Sequence, residues 1–464
     1  MKNRFIFKIT LVFTLILIST LIFTSCSLLK NSSNEKTISK AMINDKGELV
    51  VVYSNGLTQS LGVVVGKDGK DGINGTNGID GKDGVDGNDG EDGTDGKDGA
   101  DGEIIIQGGN NSASLTSAIA NSIQSAVVIQ CGFDSKLTLE TEIDTYSNGA
   151  GVFYKVNKEA GSAFIITNYH VVFNKNSSTA NGISDNIDVF LYGHLSENQA
   201  IKAKYIGGSM QYDLALLQIT DSEIIKSSDI KPIQIRSSDE VHVGESVFAI
   251  GNPKSDGFSV SAGIISTDSE TIEMTAADEK SKINIRVMRT DAAINAGNSG
   301  GGLFDENGKL IGIVNAKYVD SSIDNIGYAI PTRTAVAIIE NIMYNCLNTD
   351  TECVKRPLLG ITVQIQNPRA VYNKETGFVD LFEDSTVISI NEGSIAEGNL
   401  QIGDILRKME ISGTTNSSVN ITRQYMIEEL INARLGDTVT ITVERNGELV
   451  DISFIITEEC ITEC

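Results

Sequence analysis

Three short segments of the sequence hold residues that together could carry out nucleophilic catalysis. Ser299 lies among glycines in residues 297–301, and glycines allow a serine hydroxyl to stand exposed on a tight turn beside backbone N–H groups. His170 follows an apolar run, where its imidazole could act as a general base. Asp213 precedes the apolar residues 214–217, and a buried carboxylate there needs a partner such as an imidazole N–H.

Each of these signals is weak by itself. A serine between glycines is usually a plain turn, a histidine at the end of a strand is usually structural, and an aspartate before a strand is usually an exposed cap. Their occurrence together, in the order His, Asp, Ser, favours a catalytic triad. The backbone N–H groups of Gly297 and Ser299 are then the expected donors to an oxyanion.

The elements that position these residues are predicted to be mainly short β-strands. Between residues 112 and 350, short apolar runs are separated by Gly, Asn and Ser, and helical periodicity is confined to residues 115–125 and 334–344. Such a succession is typical of β-barrels or β-sandwiches.

This region resembles a trypsin-fold serine protease of the bacterial HtrA (Deg) family. The matching motifs are residues 167–172, 213–217, 290–301 and 326–331. The resemblance implies a protease domain over residues 103–350, with two six-stranded β-barrels and the active site between them. It also implies that Ser299 attacks the scissile carbonyl, that His170 acts as general base and then acid, and that Asp213 orients His170.

The same resemblance places the residue six before the serine at the base of the primary specificity pocket. That residue is Ala293, so this position has no carboxylate that could bind an Arg or Lys side chain of the substrate. Val314, Asn315 and Ala316 are expected to line the wall of the pocket. We therefore predict cleavage after small or medium aliphatic residues.

Residues 356–458 read as a small mixed α/β domain that resembles a PDZ domain, as HtrA proteases carry after the protease. The resemblance implies a groove between a strand over residues 361–366 and a helix over residues 422–434. Extended peptide C-termini would bind there by adding a strand to the sheet. The backbone of Leu359, Gly360 and Ile361 would capture the terminal carboxylate.

The amino terminus predicts export. Basic residues precede an uncharged run over residues 9–29, as in a secretory signal peptide, which we place at residues 1–25. Residues 23–26 resemble a lipobox, which implies lipidation of Cys26; alternatively, the apolar run stays as an uncleaved single-pass anchor. Both interpretations place the rest of the chain on the extracytoplasmic face of the cell membrane, after a polar tether over residues 26–40.

A glycine repeat separates the tether from the protease region. Residues 66–102 have glycine at every third position and Asp or Asn in the third place of each triplet, after a small β segment over residues 41–65. This is the period of collagen, and a triple helix would form an extended stalk that holds a homotrimer, the state typical of HtrA relatives. A flexible acidic spacer and a Ca²⁺-binding ladder are the alternatives.

The composition argues against other classes of function. The formal net charge of −24 argues against a nucleic-acid partner, because such binding needs clustered Lys and Arg. With three His and no paired-Cys spacing, we expect no metal site and no cofactor. Of the six cysteines, Cys346 and Cys353 could form a disulfide outside the cytoplasm.

These observations predict an exported, membrane-tethered serine endoprotease. Its substrates would be unfolded or damaged envelope proteins, engaged partly through peptide C-termini at the PDZ groove. A stalked surface adhesin or chaperone, in which the protease fold only binds, is the alternative.

Overall fold

The computed structural model describes most of the chain outside its amino-terminal part. The described residues are 38–43, 48–53, 57–63, 109–134, 145–194, 196–253, 257–315, 326–348, 354–414 and 416–463. The predicted signal peptide, Cys26 and the glycine repeat over residues 66–102 lie outside them. Within these ranges, no helix is both long enough and apolar enough to cross a membrane. The chain divides into two compact units, Met1–Ala100 and Asp101–Cys464.

The first unit contains a small antiparallel sheet. Its three strands pair in chain order: β1 (Ile38–Ile43), β2 (Glu48–Tyr53) and β3 (Thr58–Val63). The sequence predicts strands over residues 48–53 and 62–65 here; β2 has the predicted bounds, β3 begins four residues earlier than predicted, and β1 was not predicted. The adjacent polar residues Ser39 and Lys40 interrupt β1 and weaken the apolar signal on which strand prediction depends.

The second unit begins with helix α1 (Gly109–Ile123) and a closed antiparallel barrel. The barrel strands pair in the order β4-β5-β6-β9-β8-β7. Their bounds are β4 (Ala126–Phe133), β5 (Thr145–Asn157), β6 (Ser162–Thr167), β7 (Asn186–Phe190), β8 (Ile201–Ser209) and β9 (Leu214–Ile219). Two short helices lie between strands, α2 (Tyr169–Val172) and α3 (Glu223–Ser227), with a 3₁₀ turn at Glu197–Gln199.

A second closed barrel follows, with the strand order β10-β11-β12-β15-β14-β13. Its strands are β10 (Ser246–Gly251), β11 (Ser259–Thr275), β12 (Lys282–Thr290), β13 (Gly302–Asp305), β14 (Leu310–Val314) and β15 (Gly327–Pro331). A 3₁₀ turn at Ser238–Glu240 precedes the barrel, and helix α4 (Thr332–Asn348) follows it. The predicted pair of six-stranded barrels is confirmed.

An apolar cluster fixes the two barrels against each other. Ile166 and Leu216 of the first barrel, Phe248 and Phe304 of the second, and Ile338 of α4 are all completely buried in it. The two phenylalanine rings stack with their centroids 5.2 Å apart. Full burial of each such side chain contributes about 1.5–3 kcal/mol, so the barrels are held as one body around the seam where the site forms.

A separate sheet forms the C-terminal domain, with the order β17-β18-β19-β21-β22 and β20 beside β19. The strands are β17 (Ile361–Tyr372), β18 (Val379–Ile390), β19 (Ile405–Ser412), β20 (Ser417–Asn420), β21 (Thr438–Arg445) and β22 (Glu448–Ile455). β16 (Lys355–Pro357) pairs with the final strand β23 (Ile461–Glu463), so the domain extends past the predicted end at residue 458. The predicted helix over residues 422–434 is a 3₁₀ helix, Gln424–Asn432, and a 3₁₀ turn lies at Glu458–Cys460.

Charged side chains join the C-terminal domain to the second barrel. Arg333, at the start of α4, donates through Nε to Asp239 Oδ2 at 2.5 Å and also pairs with Glu429 of the C-terminal domain. Arg423 of the C-terminal domain lies with NH1 2.7 Å from Asp268 Oδ2 of β11. Both arginines are largely buried, so solvent screens the attraction within these pairs less than it does in exposed ion pairs.

Arg286 of β12 is buried under the C-terminal domain. Its guanidinium carbon lies 3.4 Å from the centre of the Tyr425 ring, and NH1 is 3.7 Å from Glu428 Oε2. Burial lowers the pKa of the Arg286 guanidinium, although Glu428, Tyr425 and Asp239 oppose the shift. NH1 and NH2 make no hydrogen bond within the described chain. The interface therefore buries a cation that is compensated by charge and by an aromatic face.

We expect Arg333→Met to loosen the C-terminal domain from the second barrel. The exchange leaves the carboxylates of Asp239 and Glu429, which are 14% and 10% exposed, without their shared cation. Breaking a buried pair in this way costs about 3–5 kcal/mol. Small-angle X-ray scattering should show a larger radius of gyration, and thermal melting should separate into two transitions. Arg369→Met is the control, because Arg369 is exposed and pairs with Asp384 inside the C-terminal domain. An unchanged scattering profile for Arg333→Met would contradict the prediction.

Candidate active site

His170 and Asp213 face each other at one end of the first barrel. β6 leads into α2, which carries His170, while Asp213 directly precedes β9, and β6 and β9 are paired neighbours. His170 Nδ1 lies 2.7 Å from Asp213 Oδ2, and the His170 backbone N–H donates to Oδ1 at 2.9 Å. An ionised carboxylate only accepts hydrogen bonds, so Nδ1 carries the ring proton and the Nε2 lone pair is left to act as a base.

The backbone of Asp213 is held in an uncommon conformation. Its φ of +50° is left-handed, which residues other than glycine rarely adopt. The side chain of Asn168, itself completely buried, donates through Nδ2 to the Asp213 carbonyl oxygen at 2.8 Å. This bond holds Asp213 in the conformation that aims its carboxylate at His170. Sequence reasoning gave Asn168 no role, although a polar residue inside an apolar run needs a buried partner.

Ser299 lies on the loop between β12 and β13 and is 5% exposed. The backbone N–H groups of its neighbours Asn298, Gly300 and Gly301 donate to backbone carbonyls. Those of Gly297 and Ser299 donate to no other described residue. Gly297 has φ +95°, and a Cβ there would lie 2.0 Å from a backbone carbonyl oxygen, so a larger residue does not fit. Two unpaired N–H groups on one tight turn are what an oxyanion site requires.

The serine loop contacts the first barrel directly. The Ala150 N–H of β5 donates to the Ser299 carbonyl oxygen at 2.8 Å. A Cβ at Gly300 would lie 2.3 Å from both Ala150 O and Thr167 Oγ1, so glycine permits this close approach. Between the described side chains of Ser299 and His170 there is no hydrogen bond, and such catalytic bonds often tighten only when substrate binds.

The residues predicted to form the specificity pocket differ in their exposure. Ala293 is exposed, as a residue that meets substrate must be. Val314, however, is completely buried inside the second barrel, and Asn315, 2% exposed, donates through Nδ2 to Asp213 Oδ2 at 2.9 Å. The side chains of Val314 and Asn315 are therefore turned away from a substrate pocket, and a pocket wall formed by the backbone of these residues stays a prediction. Successive side chains at a strand end point in opposite directions, here into the barrel and towards the aspartate. Ala316 lies outside the described residues.

The fold and these residues can now be compared with known proteins. A family model of the trypsin-like peptidase domain matches residues 149–313. Serine protease Do-like HtrA of Lactococcus lactis subsp. lactis (strain IL1403) is 32% identical over 322 residues, which cover 65% of this chain and 68% of the relative. The chain belongs to the HtrA family of serine proteases.

Two further similar proteins are a second curated relative and a solved structure. Serine protease Do-like HtrA of Bacillus subtilis (strain 168) is 31% identical over 324 residues, covering 68% of this chain and 65% of the relative. The chain thus spans about two thirds of the length of these curated relatives. Among solved structures, that of the HtrA-type protease AlgW with tripeptide matches with a TM-score of 0.47 at 25% identity, covering 74% of this chain and 96% of that one. The two barrels, the family model and the curated relatives confirm the predictions of a trypsin-like fold and of a serine endopeptidase.

A second candidate site of this HtrA chain is a cleft of about 610 Å³ between its C-terminal domain and the second barrel. Leu359, Gly360 and Ile361 line it, as predicted, together with side chains of the 3₁₀ helix at Gln424–Asn432. The backbone N–H groups of Leu359 and Gly360 donate to no other described residue. Sequence reasoning missed the opposite wall, which residues 269–271 of β11 supply.

The structure shows the bonding state of two cysteines of the HtrA chain that bear on the predictions, Cys131 and Cys346. Cys131 is a buried free thiol, and burial, assisted by the charge of Asp188, raises its pKa, so it is a poor nucleophile. Cys346 is disulfide-bonded, while Cys353, its predicted partner, lies outside the described residues. The pairing of these two stays a prediction.

Proposed function

We propose that this chain is an exported, membrane-tethered HtrA protease that cleaves unfolded or damaged proteins of the cell envelope with His170, Asp213 and Ser299. The observation that carries the proposal is the arrangement of the site. His170 donates a ring N–H to Asp213 on the barrel that the serine loop contacts, and on that loop the backbone N–H groups of Gly297 and Ser299 donate to no other described residue.

In this mechanism the Ser299 hydroxyl attacks the scissile carbonyl while His170 Nε2 accepts its proton. The Gly297 and Ser299 N–H groups stabilise the oxyanion of the tetrahedral intermediate. His170 then returns the proton to the leaving amine, which departs and leaves an acyl ester on Ser299. Water, deprotonated by His170, hydrolyses the ester and restores the serine. The exposed Ala293 favours small or medium aliphatic residues before the cleaved bond.

Casein digestion by the detergent-purified full-length chain tests the activity, together with labelling by a fluorophosphonate that phosphonylates activated serines. We expect casein fragments, suppression of cleavage by the probe, and a single adduct that mass spectrometry places on Ser299. Cleavage that persists in the fully labelled protein, or an adduct on another residue, would contradict the assignment. If the chain neither cleaves casein nor reacts with the probe, the result would favour the role of an adhesin or chaperone.

We also propose that the C-terminal domain acts as a PDZ domain that binds peptide C-termini. The N–H groups of Leu359 and Gly360 donate to no other described residue, and both residues line a cleft together with apolar side chains such as Ile361 and Ile427. A terminal carboxylate would accept hydrogen bonds from these groups, while the last side chain enters the cleft and the peptide backbone extends the sheet at β17.

A peptide with an apolar last residue and a free carboxylate should bind the chain at least about tenfold more tightly than its C-terminal amide. The reason is that hydrogen bonds to a charged acceptor contribute more than bonds to a neutral one. Fluorescence anisotropy with a labelled peptide measures the difference, in a Ser299→Ala background so that the peptide is not cleaved. Equal affinity of the acid and the amide would show that the loop does not recognise the terminus.

The location and assembly of the protein are part of the proposal. The basic, apolar amino terminus and the lipobox-like Cys26 support export and lipid anchoring at the membrane, and the collagen-period repeat supports a homotrimer. Light scattering of the detergent-solubilised chain measures the assembly, and a monomer would overturn the trimer. Mass spectrometry of the mature amino terminus distinguishes lipidated Cys26 from an uncleaved anchor.

A further inference from the structure

We propose that His242 is the proton-sensitive part of a clasp between the second barrel and the C-terminal domain. The clasp holds a hairpin arm of the C-terminal domain against the barrel at acidic pH and releases it as the pH rises. The hairpin arm is residues 369–382, which are the outer parts of β17 and β18 with the turn between them. The proposal concerns a contact between two domains and does not depend on the proposed proteolysis.

The hairpin arm extends beyond the rest of its sheet. Residues 369–372 of β17 pair with residues 379–382 of β18. Within the described chain, β19 pairs with β18 at residues 385 and 386 and not along the arm. A two-stranded ribbon is only marginally stable by itself, so the arm depends on what it contacts.

The tip of the hairpin arm meets the second barrel at His242, on the segment that leads into β10. The imidazole ring stacks on the Phe378 ring, with the centroids 4.1 Å apart and 11° between the planes. His242 Nε2 lies 3.4 Å from Asp380 Oδ1, and Nδ1 lies 3.3 Å from Glu245 Oε1. Asn373 Nδ2 donates to the other oxygen of Asp380 at 3.1 Å, which fixes the carboxylate on the arm. The ring therefore lies between one carboxylate of each domain.

Both nitrogens of the His242 ring face carboxylate oxygens, and this arrangement suits a ring with a proton on each nitrogen. A neutral imidazole has one N–H and one lone pair, so one of the two carboxylates then faces a lone pair. At 3.4 Å the contact with Asp380 is also too long for a strong hydrogen bond, whereas the attraction between opposite charges falls slowly with distance. The aromatic face of Phe378 attracts a cation as well.

The other charged groups around the ring do not cancel this effect. Glu245 belongs to the same segment as His242 and stays beside it whether or not the arm is docked. Although burial opposes the shift, hydrogen bonds from Arg236 to both Glu245 oxygens hold the pKa of that carboxyl below its usual range. What the docked arm adds is Asp380 and Phe378, and both favour the charged ring. By linkage, the arm docks as the pH falls through the range in which histidines titrate, from about pH 8 to about pH 5.

Release of the hairpin arm leaves the C-terminal domain attached to the second barrel. Arg333 and Arg423 join the same two domains, and a guanidinium stays charged throughout this pH range. The clasp therefore changes the position of the arm rather than the presence of the domain. A chain on the outer face of the membrane, as proposed above, would in this way respond to the pH of its surroundings.

The test places a single indole in the clasp. The chain contains no tryptophan, so Phe378→Trp in the full-length chain introduces one fluorophore at the tip of the arm. We expect its emission to fall from about pH 8 to about pH 5, because a protonated imidazole in contact with an indole quenches its fluorescence. Acrylamide, a quencher in solution, should reach the indole at the higher pH and be excluded at the lower one. Falling emission with unchanged access of acrylamide would show a permanent contact and overturn the release.

Three further variants, each combined with Phe378→Trp, identify the titrating group. His242→Gln should abolish both pH effects, since glutamine does not titrate. Asp380→Asn should move the midpoint of the emission change to lower pH by up to about one unit, as expected for unit charges at this distance in water. The matched control is His194→Gln, in the first barrel beside Leu191, which should retain both effects. Effects that persist in His242→Gln, or a midpoint that does not move in Asp380→Asn, would overturn the proposal.

Hydrogen–deuterium exchange of the native chain is a second measurement that leaves the clasp unaltered. After correction for the intrinsic pH dependence of exchange, the hairpin arm should be more protected at about pH 5 than at about pH 8, because a released ribbon opens easily. β19, in the middle of the same sheet, is the internal reference and should be equally protected at both. Equal protection of the arm at the two pH values would contradict the clasp.

Discussion

Replacing Ser299 with alanine should lower the kcat of peptide hydrolysis by about a millionfold. The exchange removes one oxygen atom and leaves the loop intact, since the Ser299 carbonyl still accepts from Ala150 and Gly297 keeps its conformation. Without the hydroxyl no acyl-enzyme can form, and the remaining hydrolysis depends on water and on the oxyanion donors. Initial rates with an internally quenched peptide measure the loss.

The matched control for this prediction is Ser453→Ala, an exposed serine of the C-terminal domain whose hydroxyl pairs with Thr440. It should retain native kcat. Melting temperatures of both variants should stay close to that of the native chain. Residual activity of Ser299→Ala above about a hundredth of native, far more than a triad without its nucleophile retains, would exclude Ser299 as the nucleophile.

Replacing Asp213 with asparagine should lower kcat by about ten-thousandfold. An asparagine side chain offers one oxygen acceptor, whereas His170 donates from both its backbone N–H and Nδ1 to the two carboxylate oxygens. The amide group would turn a donor towards the ring and favour the tautomer that carries the proton on Nε2, which cannot act as a base. The variant should fold, because asparagine tolerates the left-handed backbone of Asp213.

Asp221 provides an unusually close control for this exchange. It also has a left-handed backbone, with φ +48°, but its side chain is exposed and pairs with Lys226 on the surface. Asp221→Asn therefore makes the same chemical change in the same backbone conformation, away from His170, and kcat should stay within about twofold of native, as for an ordinary surface substitution. Comparable losses in the two variants would indicate a general effect on folding rather than on the triad.

The sequence marks the three residues proposed for the triad in two ways: His170 and Asp213 lie next to the ends of apolar strands, and Ser299 lies among glycines. Short apolar runs such as those of β6 and β9 indicate where strands end, and the pairing of these two strands brings their ends together. The two six-stranded barrels followed from the family resemblance. The conformation of Gly297 also has a sequence signal, because only glycine fits where a Cβ would meet a carbonyl oxygen.

The direction of single side chains could not be predicted in the same way. Val314 and Asn315 are adjacent, and only the pairing of β14 with its neighbours decides which of them faces the barrel interior. Met426, Ile427, Leu430 and Ile431 recur at a spacing that suits an α-helix, yet residues three apart also share a face of the 3₁₀ helix that the structure contains.

The contacts between the domains have no local signal at all. Arg333 and Glu429 are 96 positions apart in the chain, and each would be expected on a solvated surface when considered alone. Their partnership depends on the docking of two complete domains. The same is true of the wall that β11 supplies to the cleft beside Leu359.

Because the proposed site lies between the two barrels, the reactivity of the Ser299 hydroxyl reports whether the barrels remain in contact. Ser299 belongs to the second barrel, whereas His170 belongs to the first, and Ala150 and Gly300 close the gap between them. A separation of about one ångström would misalign nucleophile and base while every strand remained formed. During unfolding in urea, labelling of Ser299 should therefore vanish before the far-ultraviolet circular dichroism changes, and the interval between the two transitions would measure how independently the barrels hold their shape.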